Sequence, residues 1–214
     1  MLTGDTRSVT IAPARLAPWL VNFTARHGDG NAVLAGNTVR VSAADGAEAA
    51  ILIPFPPLAG TGHDVLADLQ RHATVPRRVG AVLVRKGGYA VGVFEGRQLI
   101  ASKVGSTYVQ GKTKAGGWSQ QRYARRRNNQ SSQAYADAAE HAVRVLLPHV
   151  GTLVAVATGG DRPALAAVLA DPRLSPLNAL VMAEVHPVPD PRLRVLQAFP
   201  DQFLAVRIEL NSLA

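Results

Sequence analysis

The stretch VGAVLVRKGGYAVGVFEGRQLIASKVGSTYV, residues 79–109, decides the fold. It contains three runs rich in valine and aromatic residues, VGAVLVRKGG, YAVGVFEG and RQLIASKVGSTYV, punctuated by Gly-Gly and by Glu-Gly-Arg. β-branched and aromatic side chains suit a pleated surface, and glycine supplies the turn conformations that close hairpins. The stretch is therefore expected to form a meander of three antiparallel strands.

Downstream the period changes from two to three and a half. In SQAYADAAEHAVRVLLPH the residues Tyr135, Ala138, Ala139, Ala142, Val143 and Leu146 fall on one stripe, which predicts a helix with Ser131 or Ser132 as its cap. An apolar strand GTLVAVATGG follows, then a helix RPALAAVLAD, a strand ALVMAEVH, a short helix near PRLRVLQAF and a final strand QFLAVRIEL. Three antiparallel strands followed by alternating helix and strand imply an α/β unit, a mixed sheet flanked by helices. Upstream, residues 8–12 read as a short strand, and Leu16, Trp19, Leu20 and Phe23 repeat at helical spacing up to HGDGN. The segments NTVRVS and AEAAILIPF read as strands, PFPPLAGTG breaks the pattern, and HDVLADLQRHA reads as a helix. The expected organisation is a small α+β N-terminal subdomain over 1–75, joined through TVPRR to a larger α/β domain over 76–214.

A chain of 214 residues with 47% hydrophobic content can bury a real core. Its formal net charge of +8 points to a polyanionic partner if the excess is local. It is local: from 97 to 136 stand Arg97, Lys103, Lys112, Lys114, Arg122, Arg125, Arg126 and Arg127 with no Asp or Glu. The absence of cysteine excludes disulfides, thiolate nucleophiles and cysteine-ligated zinc. No run of about eighteen apolar residues and no leader pattern is present, so a cytoplasmic location without a membrane partner is expected.

Between the meander and the helix lies GKTKAGGWSQQRYARRRNNQ, 111–130, with six cations, three glutamines and no acid. It reads as a flexible basic loop over 110–130. Gly111-Lys112-Thr113 is not a phosphate loop, because that motif would put its first glycine at Ser106 and would open directly into a helix. Two-metal chemistry needs converging carboxylates, yet the meander offers only Glu95, and Glu140 and His141 are neighbours that diverge by about 100° on a helix. No metal or cofactor is implied. Ser119 lacks the context of an activated nucleophile. What remains is a tip of Gly116, Gly117, Ser119, Gln120 and Gln121 between cations, able to orient a water molecule or simply to touch phosphates.

The GGWSQ tip on a basic loop, preceded by a three-strand meander and followed by a long helix, resembles the catalytic middle domain of eukaryotic and archaeal class-one translation release factors. It is more similar still to the Vms-like release factor (VLRF) family, in particular its actinobacterial peptidyl-tRNA hydrolase branch, in which a GxxQ-type loop replaces Gly-Gly-Gln. The resemblance runs from about residue 79 to the C-terminus and implies a ribonuclease-H-like fold for that part. It carries the family's glutamine over to Gln120, with Gln121 as the alternative. Trp118 and Ser119 stand between the second glycine and Gln120, so a strict Gly-Gly-Gln is absent.

The resemblance further implies a cytoplasmic hydrolase of ribosome quality control. It would act on peptidyl-tRNA at the large ribosomal subunit and its rRNA during rescue of stalled translation, with the oligomeric state left open and a monomer the simplest expectation. Gln120 would position the attacking water, with Gly117, Ser119 and Gln121 beside it. Lys112, Lys114, Arg122, Arg125, Arg126 and Arg127 would contact phosphates, and Trp118 would stack on a base or anchor the loop. Cleavage of the tRNA 3′ end at a phosphodiester, as in eukaryotic relatives, and RNA binding without catalysis remain open beside ester hydrolysis.

Overall fold

The computed structural model describes residues 6–60, 62–106 and 119–214, with side chains of the last stretch described from residue 133 onward. In chain order the first elements are β1 (Arg7–Ile11), α1 (Leu16–His27), β2 (Gly30–Ala35), β3 (Thr38–Ala43), β4 (Glu48–Leu52) and α2 (Val65–Thr74). Next come β5 (Arg78–Arg85), β6 (Gly88–Glu95), β7 (Gln98–Ser106), α3 (Ser119–Leu146), β8 (Ala155–Gly160), α4 (Arg162–Leu169), a 3₁₀ helix (Pro172–Leu180), β9 (Val181–His186) and α5 (Leu193–Ala198). The chain ends with α6 (Pro200–Phe203) and β10 (Val206–Leu210). They form two compact units: Met1–Val75 with Pro200–Ala214, and Pro76–Phe199.

The first unit is an antiparallel sheet in the order β1-β10-β4-β3-β2. Alternate residues of its strands, Val39 and Val41, Ala49 and Ile51, Val206, Ile208 and Leu210, turn to one face and are buried there against Leu16, Leu20 and Phe23 of α1 and Leu69 of α2. α2 starts where Asp64 accepts hydrogen bonds from the Leu66 and Ala67 amides, 3.0 Å each. Such a cap satisfies donors that the first turn leaves orphaned and contributes about 1 kcal/mol.

Two expectations fail in this unit. β2 occupies 30–35, to which the sequence pattern assigns no element; it is an edge strand exposed along most of its length, so its sequence lacks the alternation that burial imposes. QFLAVRIEL was expected in the mixed sheet of a domain over 76–214, but β10 lies between β1 and β4, so residues 200–214 complete the first unit. Its alternating burial matches a sheet covered on one face.

The second unit is α/β, as the sequence implies: a mixed sheet in the order β7-β6-β5-β8-β9, with β5, β6 and β7 an antiparallel meander and β5, β8 and β9 parallel. β5 and β6 are buried on nearly every residue because both sheet faces are covered. On one face Val82, Val84, Val91, Val93 and Val156 meet α3, α4 and the 3₁₀ helix. On the other, Leu196 of α5 comes up against Gly92. The predicted stripe of α3 is the one that faces the sheet, with Ala138, Ala139, Ala142 and Leu146 buried and Tyr135 and Val143 packed at its margin. The helix start differs from expectation. α3 is helical from Ser119, so Ser131 and Ser132 lie inside it and the second half of the expected 110–130 loop is helix. Residues 119–132 contain neither glycine nor proline, and Ala, Arg and Gln favour helix. Among the described residues no helix is long and apolar enough to cross a membrane.

Candidate functional site

The segment singled out by charge spans the junction between β7, which ends at Ser106, and α3, which is described from Ser119. Lys112, Lys114, Gly117 and Trp118 lie outside the described residues. Ser119, Gln120, Gln121, Arg122, Arg125, Arg126 and Arg127 lie on the helical backbone of α3, with their side chains outside the description. Positions 122, 125 and 126 recur at the three- and four-residue spacing that shares a face.

The described residues show how the two ends of this junction are held. Tyr89 pairs directly with Gly105 across the β6–β7 ladder. Its ring lies so close over Gly105 that a Cβ built there would overlap the phenol ring. Only glycine permits that approach. The other partner of Tyr89 is His141 of α3, with ring centroids 5.6 Å apart and planes 28° from parallel. Tyr89 thus ties the last turn of β7 to α3. Burial, and after it the Asp137 carboxylate, push the Tyr89 phenol above its ordinary pKa. Asp137 accepts a hydrogen bond of 3.0 Å from Gln133 Nε2 one turn earlier.

One turn beyond, Glu140 accepts from Arg144 Nε at 2.8 Å and from Arg173 Nη1 at 2.6 Å, and Arg173 also grips Asp171, Nη2 to Oδ2 at 2.8 Å. The Arg173 hydrogen bonds hold the Asp171 carboxyl down at about 2. This clasp fixes α3 to the 3₁₀ helix. Its arginines are exposed and its carboxylates only partly buried, so its worth is small in energy and larger in orientation. Glu140 and His141 therefore take different partners, as their divergence on the helix requires, and Glu95 is engaged by Arg78 at 2.6 Å. Among the described residues no three His, Asp or Glu side chains gather as metal ligands.

Sequence reasoning missed Tyr89, Gly105 and His141 as anchors. Counting the hairpin from the Glu-Gly-Arg turn would set Tyr89 opposite Val104; an irregularity between Val93 and Phe94 shifts the register by one residue and brings Tyr89 opposite Gly105, so the sequence carried no direct signal for this pair. The arrangement delivers an acid-free cationic segment from a rigid strand end on one side and a clamped helix on the other.

The profile of the Actinobacteria/chloroflexi VLRF1 release factor matches residues 77–209, more than half of the chain and the whole of this junction. The chain belongs to that family. Beyond the VLRF1 match, it is 32% identical over 101 residues to peptide chain release factor subunit 1 of Pyrococcus abyssi (strain GE5 / Orsay). That similarity covers 46% of this chain and 24% of the archaeal protein, so this chain matches about a quarter of the length of that curated relative. Among solved structures, the archaeal translation termination factor aRF1 aligns over 93% of this chain and 66% of its own, with a TM-score of 0.44 and 14% identity. A second archaeal protein aligns over 90% of this chain and 62% of its own, at 0.38 and 14%.

Proposed function

We propose that this chain is a ribosome-rescue factor that hydrolyses the ester of peptidyl-tRNA on the large ribosomal subunit. The observation that carries the reading is the VLRF1 release factor match over 77–209, which takes in Gly116-Gly117-Trp118-Ser119-Gln120 and the helix described from Ser119. The similarity to an archaeal peptide chain release factor subunit supports it. The charge pattern agrees, because an ester embedded in ribosomal RNA can be approached only by a cationic segment.

A glutamine amide does not titrate, so Gln120 acts by positioning the attacking water rather than by taking its proton. The 2′-hydroxyl of the terminal adenosine relays the proton, and the backbone amide of Gly117 or the Gln120 side chain stabilises the developing oxyanion. Trp118 stacks on a base, and Lys112, Lys114, Arg122, Arg125, Arg126 and Arg127 neutralise phosphates. Ser119 and Gln121 flank the reacting water.

The test uses large subunits carrying peptidyl-tRNA. Wild-type protein should release peptide and leave tRNA with an intact 3′ adenosine, read by mass. Gln120→Ala should lose release about a hundredfold while still co-sedimenting. A tRNA shortened to a 2′,3′-cyclic phosphate would replace ester hydrolysis by 3′-end cleavage. Co-sedimentation of the wild type without release would leave a binding factor. Loss in Gln121→Ala instead of Gln120→Ala would move the site by one residue.

A further inference from the structure

The first unit holds a pocket that the junction chemistry does not use. Along α1 the rings of Trp19, Phe23 and His27 form a ladder, with centroids 5.3 Å apart for the first pair, stacked at 24°, and 4.8 Å for the second. Phe23 is buried and anchors the ladder, while Trp19 is half-buried and lines a pocket of about 190 Å³. Arg7 of β1 and Asn22 and Arg26 of α1 complete its polar wall, and Leu210 its floor.

The side chains of the lining favour an anion. No acidic side chain lines the pocket. The nearest carboxylate in the bonding pattern, Asp45, is occupied by His27 Nδ1 at 2.8 Å and by the Ala47 amide at 2.9 Å. Arg7 Nη2 donates at 2.9 Å to a backbone oxygen of Ala214, the last residue and itself part of the pocket lining, which leaves the rest of its guanidinium donors. Arg26 is exposed and has no partner among the described residues.

An indole beside two guanidiniums and an amide is the constellation that reads a base by stacking and its phosphate by charge. The volume decides the kind of ligand. Clefts that enclose a whole small molecule run to roughly 300–1,000 Å³. At about 190 Å³ the pocket suits one unit of a chain whose remainder lies outside. We infer that it binds a single nucleotide of single-stranded RNA, with the base against Trp19 and the phosphate between Arg7 and Arg26. The choice of RNA as the source rests on the release-factor reading; the pocket chemistry does not.

The sequence holds two tryptophans, so in the full chain with Trp118→Phe only Trp19 reports. The probes are a labelled adenosine trinucleotide, AMP and inorganic phosphate. The trinucleotide should quench Trp19 emission as its anisotropy rises, AMP should do so more weakly, and phosphate should not. Arg26→Ala, at an exposed position, should weaken the trinucleotide several-fold and flatten its salt dependence by about 0.7 in log–log slope. Full binding by anisotropy with unchanged Trp19 emission would overturn the proposal, as would equal affinity in Arg26→Ala. Phosphate competing as well as the trinucleotide would reduce the site to a simple anion site and overturn it too. The readout needs no hydrolysis, so if the wild-type chain releases no peptide while the Trp118→Phe chain shows the quench, the rescue reading is lost and the pocket is kept.

Discussion

Gly105 decides whether Tyr89 can tie β7 to α3. The two residues face each other in the ladder, and the ring occupies the space that any Cβ at 105 would need. Tyr89 cannot retreat, because it is itself buried within the core that contains Val91, Ala138 and Ala142 and has His141 stacked on it. Overpacking of this kind costs about 1–3 kcal/mol. Gly105→Ala should therefore lower the midpoint of thermal or urea unfolding. Because the collision sits where β7 hands over to the cationic segment, peptide release should fall further than subunit co-sedimentation. An unchanged midpoint would show that the strand edge yields without cost.

α3 shows at the scale of an element what a sequence can and cannot say. Its second half was legible because Ala138, Ala142 and Leu146 must face a sheet, and burial writes a period into the sequence. Its first half was read as loop because residues 119–132 are polar all round and carry no such period, although their composition favours helix. β2, exposed along most of its length, escaped for the same reason. β10 was legible as a strand, and its alternation against the continuous burial of β5 and β6 was the available clue to its sheet. At the candidate site, the six cations are proposed from charge and Gln120 from the family resemblance, whereas Tyr89 and Gly105 are joined only by cross-strand register. The helical placement also sharpens a test. Alanine favours helix at least as well as arginine, so replacing Arg125, Arg126 and Arg127 together should preserve α3 while removing three charges. If all three meet phosphates, the log–log salt slope of subunit binding should flatten by roughly two to three. Successive positions are about 100° apart, so a flattening near one would mean that a single helix face docks. No change would place these arginines on a merely solvated surface.

On the scale of the whole molecule, the chain leaves the first unit after Val75, builds the second from Pro76 to Phe199, and returns. The first unit is incomplete without that return. β1 pairs only with β10 among the described strands, and Val206, Ile208 and Leu210 supply core residues 0–3% exposed. A fragment of residues 1–75 would lose the strand between β1 and β4 and uncover the apolar face over α1 and α2. Small domains bury too little surface to spare such a strand; one of about 60 residues already buries only about 60% of what its unfolded chain exposes. The second unit has its own sheet and its own core, to which residues 200–214 contribute no strand. A fragment of residues 76–199 should accordingly unfold cooperatively with helix and strand signals in circular dichroism. The 1–75 fragment should show no cooperative transition until a peptide of residues 200–214 is added, when amide protection should appear along β1 and β4. Cooperative melting of residues 1–75 alone would show that β1 and β4 hold the sheet without the strand between them, and would reduce β10 to an accessory of a unit already complete.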